Sequence, residues 1–228
     1  MASGALAAVP AAGGDREQPA PAIAPTQQIA TLGASHEVYA TPGARHAIAV
    51  VPARAPITGG PTVLPVTGRA TTTAAVRWLR VRVPGRPNGR QGWIVQRGVE
   101  LATTRWHLVV RTSARRVLAY RNGRLMRTLA AVVGKPSTPT PRGEFLVEES
   151  VRVPPGSPGG PFALALSARS NVLQDFDGGP GQIGIHGVDD LGGMPGTAVS
   201  HGCVRLADGP IRWLAARIRP GVPVTITR

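Results

Sequence analysis

The chain is predicted to be mainly β, and three observations carry that prediction. It holds 29 glycines and 23 prolines in 228 residues, a turn-former content that interrupts most helix-forming windows. Its apolar residues come in short runs bounded by proline and glycine, as strands do. A helical pattern stands out only near the carboxyl terminus, where Ile211, Leu214, Ala215 and Ile218 share one face. At this length the chain exceeds one typical domain of about 100 to 150 residues and has room for two small ones.

Residues 1–34 are expected to be a disordered linker or the remnant of an export signal. Ala5-Leu6-Ala7-Ala8-Val9 is an apolar run without an early basic residue, and Pro10-Ala11-Ala12-Gly13 has the small residues of a cleavage region. Pro19, Pro21 and Pro25 then block helix and central strand alike. No stretch approaches the roughly 18 apolar residues of a membrane span. From His36 the pattern changes. Val38–Ala40, Ala47–Val51, Val63–Val66, Trp78–Val83 and Gly92–Val95 are strand-like runs, and Pro84–Arg90 carries the turn of a hairpin. Trp78, Arg80 and Arg82 alternate with Leu79, Val81 and Val83, giving a wetter face and an inward one. Trp78 to Val95 resembles part of a bacterial SH3-like barrel, so residues 35–103 are read as a small SH3-like β domain.

Further along, Gln182–Val188 reads as a short buried strand, and 189–199 as a connector rich in turn formers. Asp208 is placed to cap a helix beginning near Gly209-Pro210, Gly221 ends it, and Val222, Val224 and Ile226 alternate as a last strand.

The formal net charge is +14, nearly all of it arginine, since Lys135 is the single lysine. Such a surplus points to an anionic partner. The arginines are scattered along the strands with little aromatic interleaving, which argues against nucleic acid. An anionic cell wall is the functional reading, and general arginine richness the bland one.

The chemistry concentrates around one thiol. Cys203 is the sole cysteine, so no internal disulfide is possible, and it sits in Ser200-His201-Gly202-Cys203-Val204-Arg205-Leu206. Polar and cationic neighbours of this kind are expected to lower a thiol pKa from about 8.5 toward the thiolate range. A second histidine, His186, lies 17 residues earlier in Ile185-His186-Gly187, far enough for a strand end, a loop and a return. His186, His201 and Cys203 as three zinc ligands fit no familiar motif, so no metal is predicted. His36, His46 and His107 lie outside any pattern.

Ile-His-Gly followed by Ser-His-Gly-Cys-Val-Arg-Leu resembles the signature of the L,D-transpeptidase catalytic domain, the YkuD-like family. Val132-Val133-Gly134-Lys135 with Thr138–Phe145 is similar to the family's glycine, Thr-Pro and Gly-x-Phe segment, and Leu118–Leu125 looks like its early hairpin. The likeness covers residues 104–228; Val188 stands where family members often carry a hydroxyl. It implies an L,D-transpeptidase-type β-sandwich catalytic domain with a short C-terminal helix, needing no cofactor. It implies an exported enzyme of the cell wall that joins peptidoglycan stem peptides by 3-3 crosslinks through a cysteine thioester, and a target of carbapenems. By analogy Cys203 is the nucleophile, His186 the base, and the Gly187 carbonyl holds the imidazole. The amides of His201, Gly202 and Cys203 are expected to form the oxyanion hole, with Ser200 counted among the oxyanion-hole and pocket residues and its hydroxyl steadying the turn. His201 is the competing candidate for the base and otherwise a pocket wall and electrostatic neighbour, and Arg205 either binds a substrate carboxylate or braces the loop. Water as acceptor would make the protein an L,D-carboxypeptidase, and an idle catalytic domain would leave a wall-binding module.

Overall fold

In a computed structural model of the chain, residues 22–176, 178–189 and 191–228 are described, and they are mainly β with one short helix. The first half comprises β1 (Gln27–Leu32), β2 (His36–Val38), β3 (Ala49–Val51), β4 (Val63–Thr71), β5 (Arg77–Arg82), β6 (Gln91–Val95) and β7 (Val99–Thr104). Five of these form an antiparallel sheet in the order β6-β5-β4-β1-β7, and β2 pairs with β3 beside it. Ala30, Leu32, Leu64, Leu79, Val81 and Ile94 supply its core.

β1 corrects the linker expectation for 1–34. Residues 27–32 are the strand next to the sheet's edge, hydrogen-bonded to β4 and β7, with Ala30 and Leu32 buried. The proline run stops at Pro25, and the β1 segment Gln27-Gln28-Ile29-Ala30-Thr31-Leu32 has enough apolar alternation to fill a sheet once neighbours exist. The leader-like residues 1–21 lie outside the described residues.

The second half comprises β8 (Trp106–Arg111), β9 (Arg116–Arg121), β10 (Arg124–Ala130), β11 (Val133–Gly134), β12 (Gly143–Arg152), β13 (Phe162–Arg169), β14 (Gln182–Gly187), β15 (Ala198–Ser200), β16 (Val204–Leu206), α1 (Asp208–Ala215) and β17 (Pro223–Thr227). Eight strands make one sheet in the order β10-β9-β8-β17-β12-β13-β14-β16, while β11 and β15 pair separately. α1 lays Ile211, Leu214 and Ala215 on the core. Asp208 does not cap it: Ala207 holds the cap position without a side-chain bond, and Asp208 instead pairs with Arg212 at 3.7 Å, one turn on. An acidic residue in the first turn still complements the positive end of the helix.

β12 joins the two halves. Successive residues of a strand face opposite ways, so Phe145 and Val147 enter the core under α1 while Leu146 enters the core of the first sheet. A bulge between Val147 and Glu149 then turns Glu149 outward from its own sheet. Its buried carboxylate accepts the Ile57 amide at 3.0 Å and the Thr58 amide at 2.6 Å. Across the same seam Arg82 donates to the Glu144 carbonyl at 3.1 Å, and Thr225 bridges Glu144 to His107. Burial holds the His107 imidazole down to about 4, so it is neutral.

Because Leu146 belongs to the core of the other half, Leu146→Ala should destabilise the protein by about 2 to 5 kcal/mol. Urea unfolding followed by tryptophan fluorescence measures this. A loss below about 1 kcal/mol would mean that the two halves do not share a core.

Candidate active site

The parallel pairing of β14 with β16 aligns Ile185 with Val204 and His186 with Arg205. Cys203, just ahead of β16, therefore lies beside Gly184. The Gly184 amide donates to Cys203 Sγ at 3.4 Å, and Sγ lies 4.0 Å from the Gln182 carbonyl. His186 stands two residues on, on the same face, its Cδ2 3.6 Å from where a Gly184 side chain would begin. Both groups open onto one cavity of about 340 Å³. Its other walls include Phe176, Leu191, His201 and Arg205.

The ring nitrogen Nδ1 of His186 lies 2.7 Å from the Gly187 carbonyl oxygen. A carbonyl only accepts, so Nδ1 carries the proton, and in the neutral ring Nε2 has a free lone pair. Gly187 itself leaves no room for a side chain, because the Gly160 carbonyl occupies the place a Cβ would take.

The expectation of a lowered thiol pKa is reversed. Burial dominates and pushes the Cys203 thiol up; the Gly184 N–H and the Arg205 charge pull it down without prevailing. For His186, burial holds the imidazole below its ordinary value, the Gly187 bond opposes this, and Arg205 adds to the lowering. Thiol and imidazole thus rest as a neutral pair. The sequence neighbours of Cys203 show charge, but not the desolvation that outweighs it.

The turn before Cys203 is held from inside. Gly202 sits at φ 124°, a conformation that favours glycine, with Ile183 3.0 Å from its would-be Cβ. The fully buried Ser200 accepts the Gly202 amide at 3.2 Å and donates to the Cys203 carbonyl at 2.6 Å. The Gly202 amide is therefore spent within the turn, which corrects its expected place in an oxyanion hole. The amides of His201 and Cys203 make no such internal bond among the described residues. Ser200 lies behind the turn and does not line the cavity.

Two residues with no role assigned from the sequence complete the buckle. Thr138 donates to the Ser200 carbonyl at 3.2 Å. Thr140 donates to the Gly202 carbonyl at 2.8 Å and accepts the Gly134 amide at 2.9 Å. The signal for them is the pair of hydroxyls in Thr138-Pro139-Thr140-Pro141, where proline leaves few backbone donors.

His201 is exposed and packs its ring on Phe176 at 5.5 Å. Arg205 is buried, donating from Nη1 to the Leu191 carbonyl at 2.6 Å and the Gly192 carbonyl at 2.9 Å, so it braces the β14–β15 connection. His36 and His46 lie elsewhere in the first half. No three His, Cys, Asp or Glu side chains among the described residues are grouped to hold a metal ion.

Residues 105–226 match the YkuD family, described as the L,D-transpeptidase catalytic domain, and the chain belongs to that family. It is 34% identical to YkuD of Bacillus subtilis over 126 residues, which cover 55% of this chain and 68% of that protein. It is 29% identical to L,D-transpeptidase 1 of Mycobacterium tuberculosis over 129 residues, 52% of this chain and 49% of that protein. The solved structure of the L,D-transpeptidase LdtMt1 in complex with imipenem is similar at a TM-score of 0.46 and 23% identity, covering 72% of this chain and 90% of that one.

Two outcomes follow from this geometry. Alkylation of Cys203 by iodoacetamide should accelerate with pH and inflect above the ordinary thiol value of about 8.5. An inflection below about pH 7 would instead show a resting thiolate. Thr140→Val should cost about 1 to 3 kcal/mol in chemical denaturation, because it leaves a buried amide and a buried carbonyl unpaired, and Thr140→Ser should restore most of it.

Proposed function

We propose that this protein is a peptidoglycan L,D-transpeptidase with Cys203 as nucleophile and His186 as general base. The observation that carries the reading is that thiol and imidazole stand beside Gly184 on one face and open onto one cavity, with the imidazole held in the tautomer that leaves Nε2 free to accept. A thiol held neutral by burial needs a base at the moment of attack, and a neutral imidazole is one.

In the first half-reaction Nε2 takes the thiol proton as sulfur adds to the carbonyl carbon between the L-centre of the third stem residue and the terminal D-alanine. The amides of His201 and Cys203 donate to the developing oxyanion. The carbon–nitrogen bond then breaks, the imidazolium returns its proton to the departing amine, and a thioester remains. In the second half-reaction the amine of a neighbouring stem attacks that thioester and gives its proton to His186, the carbon–sulfur bond breaks, and the imidazolium returns the proton to sulfur, leaving a 3-3 crosslink and the free thiol. The Arg205 charge lies near enough to Cys203 to favour the anion as sulfur loses its proton. Carbapenems would acylate the same sulfur.

The surface supports an anionic wall as partner. Trp106 and Trp213 meet edge to face at 5.8 Å, with Arg121 5.6 Å from the Trp106 ring and Arg127 and Arg217 at 4.9 and 4.5 Å from Trp213. Arg105, Arg121, Arg217 and Arg219 surround a cleft beside Trp106 whose lining holds no carboxylate. Residues 35–103 are proposed as an SH3-like wall-binding module, extended at its start by β1. Action on the wall implies export; no helix among the described residues is long and apolar enough to cross a membrane.

Mass spectrometry of the purified protein with tetrapeptide stems tests the reading. A crosslinked dimer is expected; free tripeptide would make the acceptor water, and no change would leave a binding module. Cys203→Ala should abolish turnover and the carbapenem adduct while still sedimenting with isolated walls. Turnover by that variant would remove Cys203 from the mechanism.

A further inference from the structure

One wall of the catalytic cavity is held by its own sheet only at its base, where Arg169 pairs with Gln182 and the Ser170 amide donates to the Gly181 carbonyl at 2.7 Å. Ser170, Leu173, Phe176 and Gly181, from the connection between β13 and β14, line the cavity. That connection is tied to the turn between β5 and β6, which belongs to the first half of the chain. Arg86 Nη1 donates to the Pro180 carbonyl at 2.8 Å, and Nη2 donates to the carbonyls of Ser170 at 2.8 Å and Leu173 at 3.2 Å. A single guanidinium thus gathers both ends of the connection. Asn88 treats Arg169 as a strand neighbour, accepting its amide at 2.8 Å and donating to its carbonyl at 2.7 Å. It also donates to the Asn171 side chain at 3.0 Å.

The tie continues toward the thiol. Arg169 pairs with the buried Glu148 at 3.2 Å, and Glu148 accepts from the Gln182 side chain at 3.2 Å. The Gln182 carbonyl is the one beside Cys203 Sγ.

We propose that Arg86 and Asn88 are positioning residues: they pin the β13–β14 connection as a wall of the Cys203 cavity, so that the first sheet sets how the cleft receives its peptide. The inference rests on the transpeptidase reading for its kinetics but not for its geometry. Arginine is required because its donors lie in one rigid plane that can span three carbonyls, whereas the ammonium of lysine is a point donor on a flexible stem. The pinned residues line the cavity without touching the reacting sulfur. Their displacement should therefore weaken binding in ground and transition states alike, which raises KM and leaves kcat nearly unchanged.

Two measurements on the full chain test this. In hydrogen exchange, Arg86→Ala should speed exchange at 170–176 and 178–181 by on the order of 10-fold or more, while β8 and β17 stay as in the wild type. In kinetics with tetrapeptide stems, Arg86→Ala and Asn88→Ala should each raise KM on the order of 10-fold with kcat within about 3-fold. Arg86→Lys, which keeps the charge and loses the planar fork, should recover only part of the effect. Unchanged exchange at the connection would overturn the pin, and an unchanged KM beside faster exchange would overturn its role in substrate reception. If the wild type turns over no stem peptide, the functional reading fails, and the exchange result still decides the pin.

Discussion

The parallel pairing of β14 with β16 is the constraint on which the site depends. Parallel neighbours cannot be joined by a tight turn and need a crossover of a dozen or more residues. Residues 188–203 are that crossover, which is why His186 and Cys203 stand 17 positions apart. Once Ile185 is set against Val204, the residue before β16 has one neighbour available, Gly184, and the histidine two positions on shares its face. Register decides the meeting of sulfur and imidazole. A shift by one residue would turn His186 to the far side of the sheet.

The same packing that fixes the pair also sets its resting charge. A cleft whose floor is buried sheet backbone desolvates both groups, and desolvation favours the neutral form of each. Arg205 stabilises a thiolate and disfavours an imidazolium, so its charge alone does not produce an ion pair. In the proposed mechanism, loss of the proton from sulfur is then coupled to the approach of the electrophile. A resting neutral thiol is also a weaker target for adventitious oxidants than a thiolate.

Much of this was legible in the sequence. The short apolar runs named β2 to β6 of the first half but neither β1 nor β7, and Ile-His-Gly with Ser-His-Gly-Cys named the elements of the site, because strand period and turn chemistry are local properties. What was hidden depends on distant partners. β1 was masked by the prolines before it and exists because β4 and β7 flank it. The Gly202 amide looked free for an oxyanion because the Ser200 hydroxyl that takes it is fixed in orientation by folding. The direction of the Cys203 shift was hidden because charge is visible in neighbours and burial is not. Thr138 and Thr140 lie more than sixty residues from the carbonyls they hold.

The two walls of the cleft differ in kind. On one side Cys203, His186 and the Ser200 turn are fixed by sheet register and by buried hydroxyls, a stiffness suited to groups that must meet within hydrogen-bond reach. On the other side the wall is a connection between strands, closed at its base by the Ser170–Gly181 backbone bond and tied further along to Arg86 and Asn88 in the β5–β6 turn. In the proposed reading, chemistry and reception are thereby placed on separate supports. The reacting groups can hold constant geometry while the receiving wall follows whatever shifts the first sheet, and Leu146 in the first core together with Glu149 across the seam limits how large such shifts can be.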